Sequence, residues 1–213
     1  EDIERPTPPG SGPVFATGRH PGLLGVMDGH DEPVHGVRFA PSGETLVSAA
    51  ESGKIRHWDA QKGLITQSLD ASGPLLLAAD WSQDWQTLAL LGCTSKACAL
   101  DVRAMDSGQN LQNIPVERAH VGSVALSPNG ELAAIATDDG RVSVTALGTD
   151  HRLSWRAHEA GVWTIAFDPF GRYLATGGMD YQVKIWEPRN GTLIRSLRDP
   201  KGAIHTVAFH LKI

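Results

Sequence analysis

The feature that most constrains this chain is a repeat of about 43 residues. Its clearest copies are VHGVRFAPSG at 34–43, VGSVALSPNG at 121–130 and VWTIAFDPFG at 162–171, and IHTVAF at 204–209 begins another. A weaker copy, DWSQDWQTLALLG, lies between the first two. In each copy apolar residues alternate up to a turn, and two further short apolar runs follow. Alternation with a period of two predicts β-strands.

A unit of this length with four short strands predicts one blade of a β-propeller. A blade is a small sheet that cannot bury both of its faces alone, so successive blades pack against one another around an axis. The sequence therefore predicts an all-β protein of four-stranded antiparallel blades. We place them at about 29–70, 71–115, 116–156 and 157–200, with a partial blade at 201–213.

Residue pairs at a fixed spacing link these repeats to a known family. His30 is followed 28 positions later by Trp58, and His158 is followed at the same spacing by Trp186. The pairs resemble the glycine-histidine and tryptophan-aspartate marks of WD-repeat β-propellers, and the resemblance covers about residues 22–213. It implies the fold, whereas a fold that hosts many functions says little about activity.

The resemblance also implies a fastening network within each blade. In the family, a His, a Ser or Thr, an Asp and a Trp form a hydrogen-bonded chain that holds the strands of a blade together. In the fourth blade the matching residues are His158, Thr176, Asp180 and Trp186. In the first blade they are His30, Ser48 and Trp58, with Ser52 at the Asp position.

The second and third blades depart from this pattern. The third keeps Asp139 but has Ile135 and Thr145 at the hydroxyl and indole positions, and the loop after His120 is shorter. In the second, Asp101 is retained at the family's terminal Asp position, and the four network positions are assigned to Ser72, Leu90, Thr94 and Leu100. We expect packing rather than hydrogen bonds to hold these two blades.

The blades do not complete a ring. Rings of this family usually have seven blades, whereas this sequence supplies four and the first strand of a fifth, with a further outer strand expected at 22–28. An unpaired blade edge promotes aggregation, so we expect more of the same protein to close the ring. The alternatives are that a partner or second copy completes it, or that an unusual small ring forms. Residues 1–21 are rich in Pro and Gly and are expected to be a linker or an arm that lies on a partner.

The composition excludes several classes of function. A net charge of −5 provides no basic field for nucleic acid, and no apolar run reaches the 18 residues that favour a membrane span. No P-loop, HExxH or GxSxG pattern occurs, and no two histidines have metal-ligand spacing on a helix. We therefore predict no catalytic residue, no metal site and no cofactor. Asn190-Gly191 is interpreted as a hairpin turn rather than a glycosylation site.

Two cysteines flank the turn between the second and third strands of blade two. Cys93 and Cys98 either form a cross-strand disulfide or remain two buried thiols, and the sequence leaves both alternatives open. A disulfide would indicate an oxidising compartment. The chain is therefore compatible with a soluble protein of the cytoplasm or of an exported or periplasmic location.

A candidate interaction face follows from equivalent positions in the repeats. His35, Trp163 and His205 share one position in the first strand of three repeats, and Glu51, Asp138 and Met179 precede the turn after the second strand. In related propellers both positions open on the face that carries partner-binding loops. The alternative for Trp163 is packing between adjacent blades.

These observations predict a non-catalytic protein-interaction scaffold, or an accessory subunit or domain of a larger assembly. Its partners are expected to be other proteins or missing blades of the same protein. Two alternatives remain: an enzyme or ligand-binding propeller with a small-molecule site at the channel mouth, where His35, Trp163 and His205 would converge, and a sensor domain of a longer chain.

Overall fold

A computed structural model describes residues 27–70, 75–117, 121–198 and 201–210. The predicted extension 1–21, most of the outer strand expected at 22–28, Ser72 and His120 lie outside these residues. The described residues form sixteen β-strands and no helix. In chain order the strands are β1 (Val34–Phe39), β2 (Thr45–Ala50), β3 (Lys54–Asp59), β4 (Ile65–Asp70), β5 (Leu75–Trp81), β6 (Thr87–Cys93), β7 (Cys98–Ala104), β8 (Asn110–Val116), β9 (Val121–Leu126), β10 (Leu132–Thr137), β11 (Arg141–Ala146), β12 (Arg152–Arg156), β13 (Val162–Phe167), β14 (Leu174–Gly178), β15 (Val183–Glu187) and β16 (Thr192–Leu197).

The strands form four antiparallel sheets of four, and within each sheet every strand pairs with its neighbour in the sequence. The first strands are the inner ones: β1 contacts β5, β5 contacts β9, and β9 contacts β13. The sheets therefore follow one another around a channel, as predicted for blades of a WD-repeat propeller. The four blades form an arc, and the ring is not closed.

The core lies between blades. Side chains of each inner strand pack on the second and third strands of the preceding blade; Val162 and Ile165 of β13, for example, join Ala134, Ala136 and Val142 of blade three in one cluster. The same arrangement repeats at the other two junctions. Burying alternate apolar residues of the inner strands thus fixes the order of the blades.

The exception is the inner strand of blade one. Val37 is 61% exposed and Phe39 is 59% exposed, whereas the equivalent Ile165 of β13 is only 6% exposed and Trp81 of β5 only 2%. No described blade precedes blade one, so nothing among the described residues covers this face of β1. The open end of the arc therefore exposes apolar side chains whose equivalents in the other blades are buried.

The other end of the arc differs from the strand predicted at 204–209. This segment lies against blade four, where the Ile204 N–H donates to the Gly178 carbonyl at 3.2 Å and the Val207 N–H donates to Thr164 Oγ1 at 3.2 Å. It forms no strand. A ladder requires a hydrogen-bonded neighbouring strand, and the described residues supply none for this segment.

The register of blade two corrects one sequence assignment. Leu46 lies opposite Trp58 in blade one and Leu174 lies opposite Trp186 in blade four, but their equivalent in blade two, Leu88, lies opposite Arg103. Arg103, not Leu100, thus occupies the tryptophan position, and Ala104, not Asp101, occupies the terminal Asp position, since Thr87 pairs with Ala104 as Thr45 pairs with Asp59. The sequence alignment was wrong because the β6–β7 hairpin is longer than its counterparts, so fixed spacing from the second strand fails there.

Blade two also departs at its first turn. The residue that closes this turn has a positive φ in all four blades: it is Gly43 (73°), Gly130 (67°) and Gly171 (68°), but Trp85 (62°) in blade two. A bulky residue is strained in this left-handed region. Trp85 partly buries its ring against the cluster between blades one and two. It therefore occupies a turn, as expected from its position in the repeat.

Candidate interaction face and fastening networks

The four network residues of blade four are brought together as one hydrogen-bonded chain. The Trp186 indole N–H donates to Thr176 Oγ1 at 2.9 Å, and that oxygen lies 2.7 Å from His158 Nε2. His158 Nδ1 lies 2.7 Å from Asp180 Oδ1. This geometry suits a neutral histidine that donates from Nδ1 and accepts from the threonine hydroxyl at Nε2. This hydrogen-bonded network joins the segment before β13 to β14, to β15 and to the turn between β14 and β15.

Burial sets the charge state of this network. Burial lowers the pKa of His158, and its hydrogen bond to the Asp180 carboxylate only partly opposes that effect. Burial by itself raises the pKa of Asp180, but the hydrogen bond from His158 and backbone N–H donors outweigh it, so the net pKa is lowered. Lys184 on β15 also holds the segment before β13, because its ammonium group donates to the Ala157 carbonyl at 2.7 Å. Asp180 is therefore held as an anion beside a neutral histidine.

Blade one has the same chain without its terminal acid. His30 Nε2 lies 2.6 Å from Ser48 Oγ, and the Trp58 indole N–H donates to that oxygen at 2.8 Å. His30 Nδ1, which faces Asp in blade four, is buried without a hydrogen-bond partner among the described residues. Burial lowers the pKa of His30. The hydrogen-bonded network of blade one therefore ends at the histidine and has no terminal carboxylate.

A carboxylate still reaches this turn from elsewhere in the sequence. Glu32 accepts a hydrogen bond from the Ser52 N–H at 2.7 Å and another from Ser52 Oγ at 2.6 Å. Lys54 lies 3.1 Å from the same carboxylate. Glu32 could not be selected from the sequence, because it is distant from Ser52 along the chain and outside the repeat pattern.

Blade three does not form the His, hydroxyl and Trp network. Ile135 and Thr145 are buried, and Asp139 instead accepts from the Thr137 hydroxyl at 2.6 Å and from the Arg141 N–H at 3.2 Å. In blade two, Leu90 is buried, Thr94 bonds within its own hairpin, and Asp101 pairs with Arg103 at 2.7 Å. Apolar contacts dominate both interiors.

A β-bulge in each inner strand creates the candidate face. The strand register skips one residue at the same place in every blade, and the skipped residues are His35, Leu77, Gly122 and Trp163. A bulge turns its extra residue away from the regular alternation of the strand. Leu77, which is 38% exposed, belongs to this set and was missed because the blade-two repeat is weak.

Two associations involve four of the six predicted face residues: Trp163 contacts His205, and Asp138 and Met179 both lie beside Gly161, just before β13. Trp163 is 37% exposed, and its ring centroid lies 4.5 Å from that of His205. Met179 pairs through its backbone N–H with the Gly161 carbonyl, and Gly161 fits closely between Asp138 and the Met179 sulfur. We call Asp138, Trp163, Met179 and His205 the loop-face group. Trp163 is thus partly open to solvent rather than enclosed between blades.

The other two predicted residues lie elsewhere on the arc. His35 is exposed on the bulge of β1, and Glu51 is held by backbone hydrogen bonds with Pro33 and Leu76. Blades two and three separate them from Trp163. The structure therefore does not bring His35 together with Trp163 and His205 in one pocket.

A cavity of about 320 Å³ lies at the opposite ends of the inner strands. Its lining is of mixed polar and apolar character and includes Arg38 and Asp80, which are 2.7 Å apart. Asp80 also accepts from the Leu126 N–H at 2.8 Å, and burial raises the pKa of its carboxyl. These contacts link blades one, two and three, so the charged groups are engaged in joining blades.

Within the described ranges, no group of three or more His, Cys, Asp or Glu side chains is arranged to hold a metal ion. In the same part of the chain there is no helix with the length and apolar character needed to cross a membrane.

Comparison with known proteins identifies the repeats. The family profile described as WD domain, G-beta repeat matches residues 22–59, 109–145 and 150–187, which is more than half of the chain. THO complex subunit 3 of Arabidopsis thaliana is 27% identical over 86% of this chain and 58% of its own length. WD repeat-containing protein SL1-17 of Schistosoma mansoni is 28% identical over 79% of this chain and 55% of its own. Human striatin-4 is 26% identical over 91% of this chain and 27% of its own. The chain thus spans little more than half, or less, of these relatives.

Proposed function

Because the chain belongs to the WD-repeat β-propeller family, we propose that it is a non-catalytic protein-interaction scaffold or accessory subunit. Its loop-face group, Asp138, Trp163, Met179 and His205, contacts the partner. One relative is named as the subunit of a complex, which fits this general role. The partner itself is a protein, since the net charge of −5 disfavours nucleic acid.

The exposure of Trp163 is the observation that carries the proposal. A tryptophan on a β-bulge, packed against a histidine ring and still open to solvent, offers a rigid apolar surface. Met179, which is 43% exposed, extends that surface, and Asp138 supplies a polar edge. An apolar centre with a polar rim is the usual composition of a protein-binding patch.

The remaining polar residues support a scaffold rather than an enzyme. His158 and Asp180 are both engaged in the fastening network. Arg38 and Asp80 at the cavity are engaged with each other and with neighbouring backbone. Each of these groups therefore has a structural task in the fold.

Site-specific photo-crosslinking in the full-length protein tests the proposal. A benzophenone amino acid replaces Trp163 in one variant and Phe170 in a second, because Phe170 is also aromatic and is 66% exposed but lies at the opposite end of β13. We expect a discrete protein adduct from position 163 and none from position 170. Adducts of equal yield from both positions, or none from 163, would overturn the proposed face.

A further inference from the structure

We propose that Cys93 and Cys98 form a redox-reversible fastener that replaces, in blade two, the polar network of blades one and four. Its reduction releases the 93–98 hairpin from the ordered state in which the structure shows it. The inference concerns this hairpin alone and stands independently of the loop-face group.

Blade two lacks the residues that fasten the other blades. Leu90 occupies the place of Ser48 and Thr176, and Arg103 occupies the place of the tryptophan. No side chain of the described residues can therefore build the hydrogen-bonded chain across β6 and β7. The sulfurs of Cys93 and Cys98 are bonded instead, and the two residues are direct cross-strand partners at the end of these strands. The covalent bond joins the same two strands that Thr176 and Trp186 join in blade four.

The hairpin that carries the bond is longer than its counterparts. Leu91 pairs with Leu100, a separation of nine residues, whereas Ala49 pairs with Ile55 and Ala136 with Val142, separations of six. Extra loop residues add conformations to the open hairpin. A bond between Cys93 and Cys98 removes most of those conformations, so the longer hairpin is the one with most to gain from a covalent closure.

The tip of the hairpin is accessible to solution. Residues 94–97 are exposed, Cys93 is partly exposed, and Cys98 is buried. Within the tip, the Thr94 N–H donates to the Ala97 carbonyl at 2.8 Å, and the Thr94 hydroxyl oxygen accepts from the Ala97 N–H at 3.0 Å and from the Lys96 N–H at 3.2 Å. These contacts are local and solvent-exposed, so they are weak without the bond.

The redox step is a thiol–disulfide exchange with a dithiol reductant. A thiolate of the dithiol attacks the accessible Cys93 sulfur, the bond to Cys98 breaks, and Cys98 leaves as a thiolate that takes up a proton. The second thiol of the reductant then displaces Cys93, which is also protonated. The dithiol ends as a cyclic disulfide and the protein as two thiols, so two electrons and two protons have moved to the protein.

Trypsin provides a direct test, because Lys96 is a cleavage site at the hairpin tip. Lys62, which is exposed in the turn after β3, provides a matched control within the same chain. Peptide mass spectrometry measures both cleavage rates before and after treatment with dithiothreitol. We expect reduction to accelerate cleavage after Lys96 about tenfold or more, since proteolysis follows the population of open hairpin. Cleavage after Lys62 should not change.

The double variant Cys93→Ser/Cys98→Ser completes the experiment. It should be cleaved after Lys96 as fast as the reduced protein, with no response to dithiothreitol. Three results would overturn the proposal: two free thiols in protein purified without reductant, an unchanged rate at Lys96 on reduction, or equal acceleration at Lys96 and Lys62. The last would mean that reduction unfolds the whole chain rather than one hairpin.

Discussion

Blades one and four use the same His, hydroxyl and Trp chain but end it differently. In blade four the Asp180 carboxylate of the turn accepts from His158. In blade one the turn has Ser52, whose partner is Glu32 from the preceding segment, and one buried nitrogen of His30 has no hydrogen-bond partner in the part of the chain that the structure describes. A blade can therefore retain the buried half of its network, which joins the second and third strands, while its solvent-facing half is rebuilt from another part of the sequence.

The two blades also differ in what covers their inner strands. Ile165 of β13 is enclosed by blade three, whereas Val37 at the equivalent position of β1 faces solvent. Equivalent sequence positions thus have opposite environments because one blade has a described neighbour and the other has none. Paired substitutions test these differences between blades, from the largest expected effect to the smallest.

The largest contrast is expected from introducing a charge at this position. Ile165→Asp buries an unpaired carboxylate and should cost several kcal/mol of unfolding free energy, enough to prevent folding. Val37→Asp should leave the midpoint of thermal unfolding nearly unchanged and reduce self-association of the isolated chain, because the open face becomes polar. Circular dichroism and light scattering measure the two effects. A Val37→Asp protein that unfolds, or that associates as strongly as the native chain, would show that this face is covered.

Trp186→Ala tests the buried half of the network. Trp186 packs in the interface between blades three and four and donates to Thr176, so truncation should cost about 3–5 kcal/mol. Trp85→Ala is the matched comparison, and it should cost less because Trp85 lies in a strained turn and is only partly buried. Urea unfolding of both variants compares the losses. Equal losses would contradict the role assigned to Trp186.

Asp180→Ala tests the solvent-facing half. It removes a carboxylate that accepts from His158 and from backbone N–H groups, and should cost about 2 kcal/mol. Ser52→Ala removes one hydroxyl hydrogen bond to Glu32 and leaves the backbone one, so about 0.5–1 kcal/mol is expected. The same unfolding measurement applies to both. A larger loss for Ser52→Ala would mean that the Glu32 arrangement, not the Asp180 one, is the stronger fastening.

The dependence of stability on pH should be small and have a defined sign. Burial lowers the pKa of His57 in the folded state below its unfolded value near 6.5, so the unfolded chain binds protons more readily. Stability is then fully present above that unfolded value and falls as pH drops below it. Urea unfolding at pH 7.5 and 5.5 measures the decline, which His57→Leu should make shallower. The exposed His151→Leu is the matched control, and an equal effect from it would refute the assignment to burial.

The repeat pattern predicted the fold because it depends on local properties. Alternating apolar residues and turns at constant spacing fix the strands of blades one, three and four whatever surrounds them. The prediction failed where spacing changed or neighbours mattered. The longer β6–β7 hairpin moved Arg103 into the tryptophan position, and the strand expected at 204–209 lacks a described partner. Glu32 was missed because it lies outside the repeat pattern, and Leu77 was missed because the blade-two repeat is weak.

Binding by a Trp163→Ala variant tests the account most directly. Calorimetric titration with the partner captured at position 163 compares native and variant proteins, and thermal unfolding is recorded on the same samples. We predict a loss of about 2 kcal/mol or more in binding free energy with a nearly unchanged melting temperature, because an exposed anchor stabilises the complex rather than the core. A variant that binds normally, or one that loses binding only because it unfolds, would contradict the proposal that Trp163 anchors a partner on the loop face.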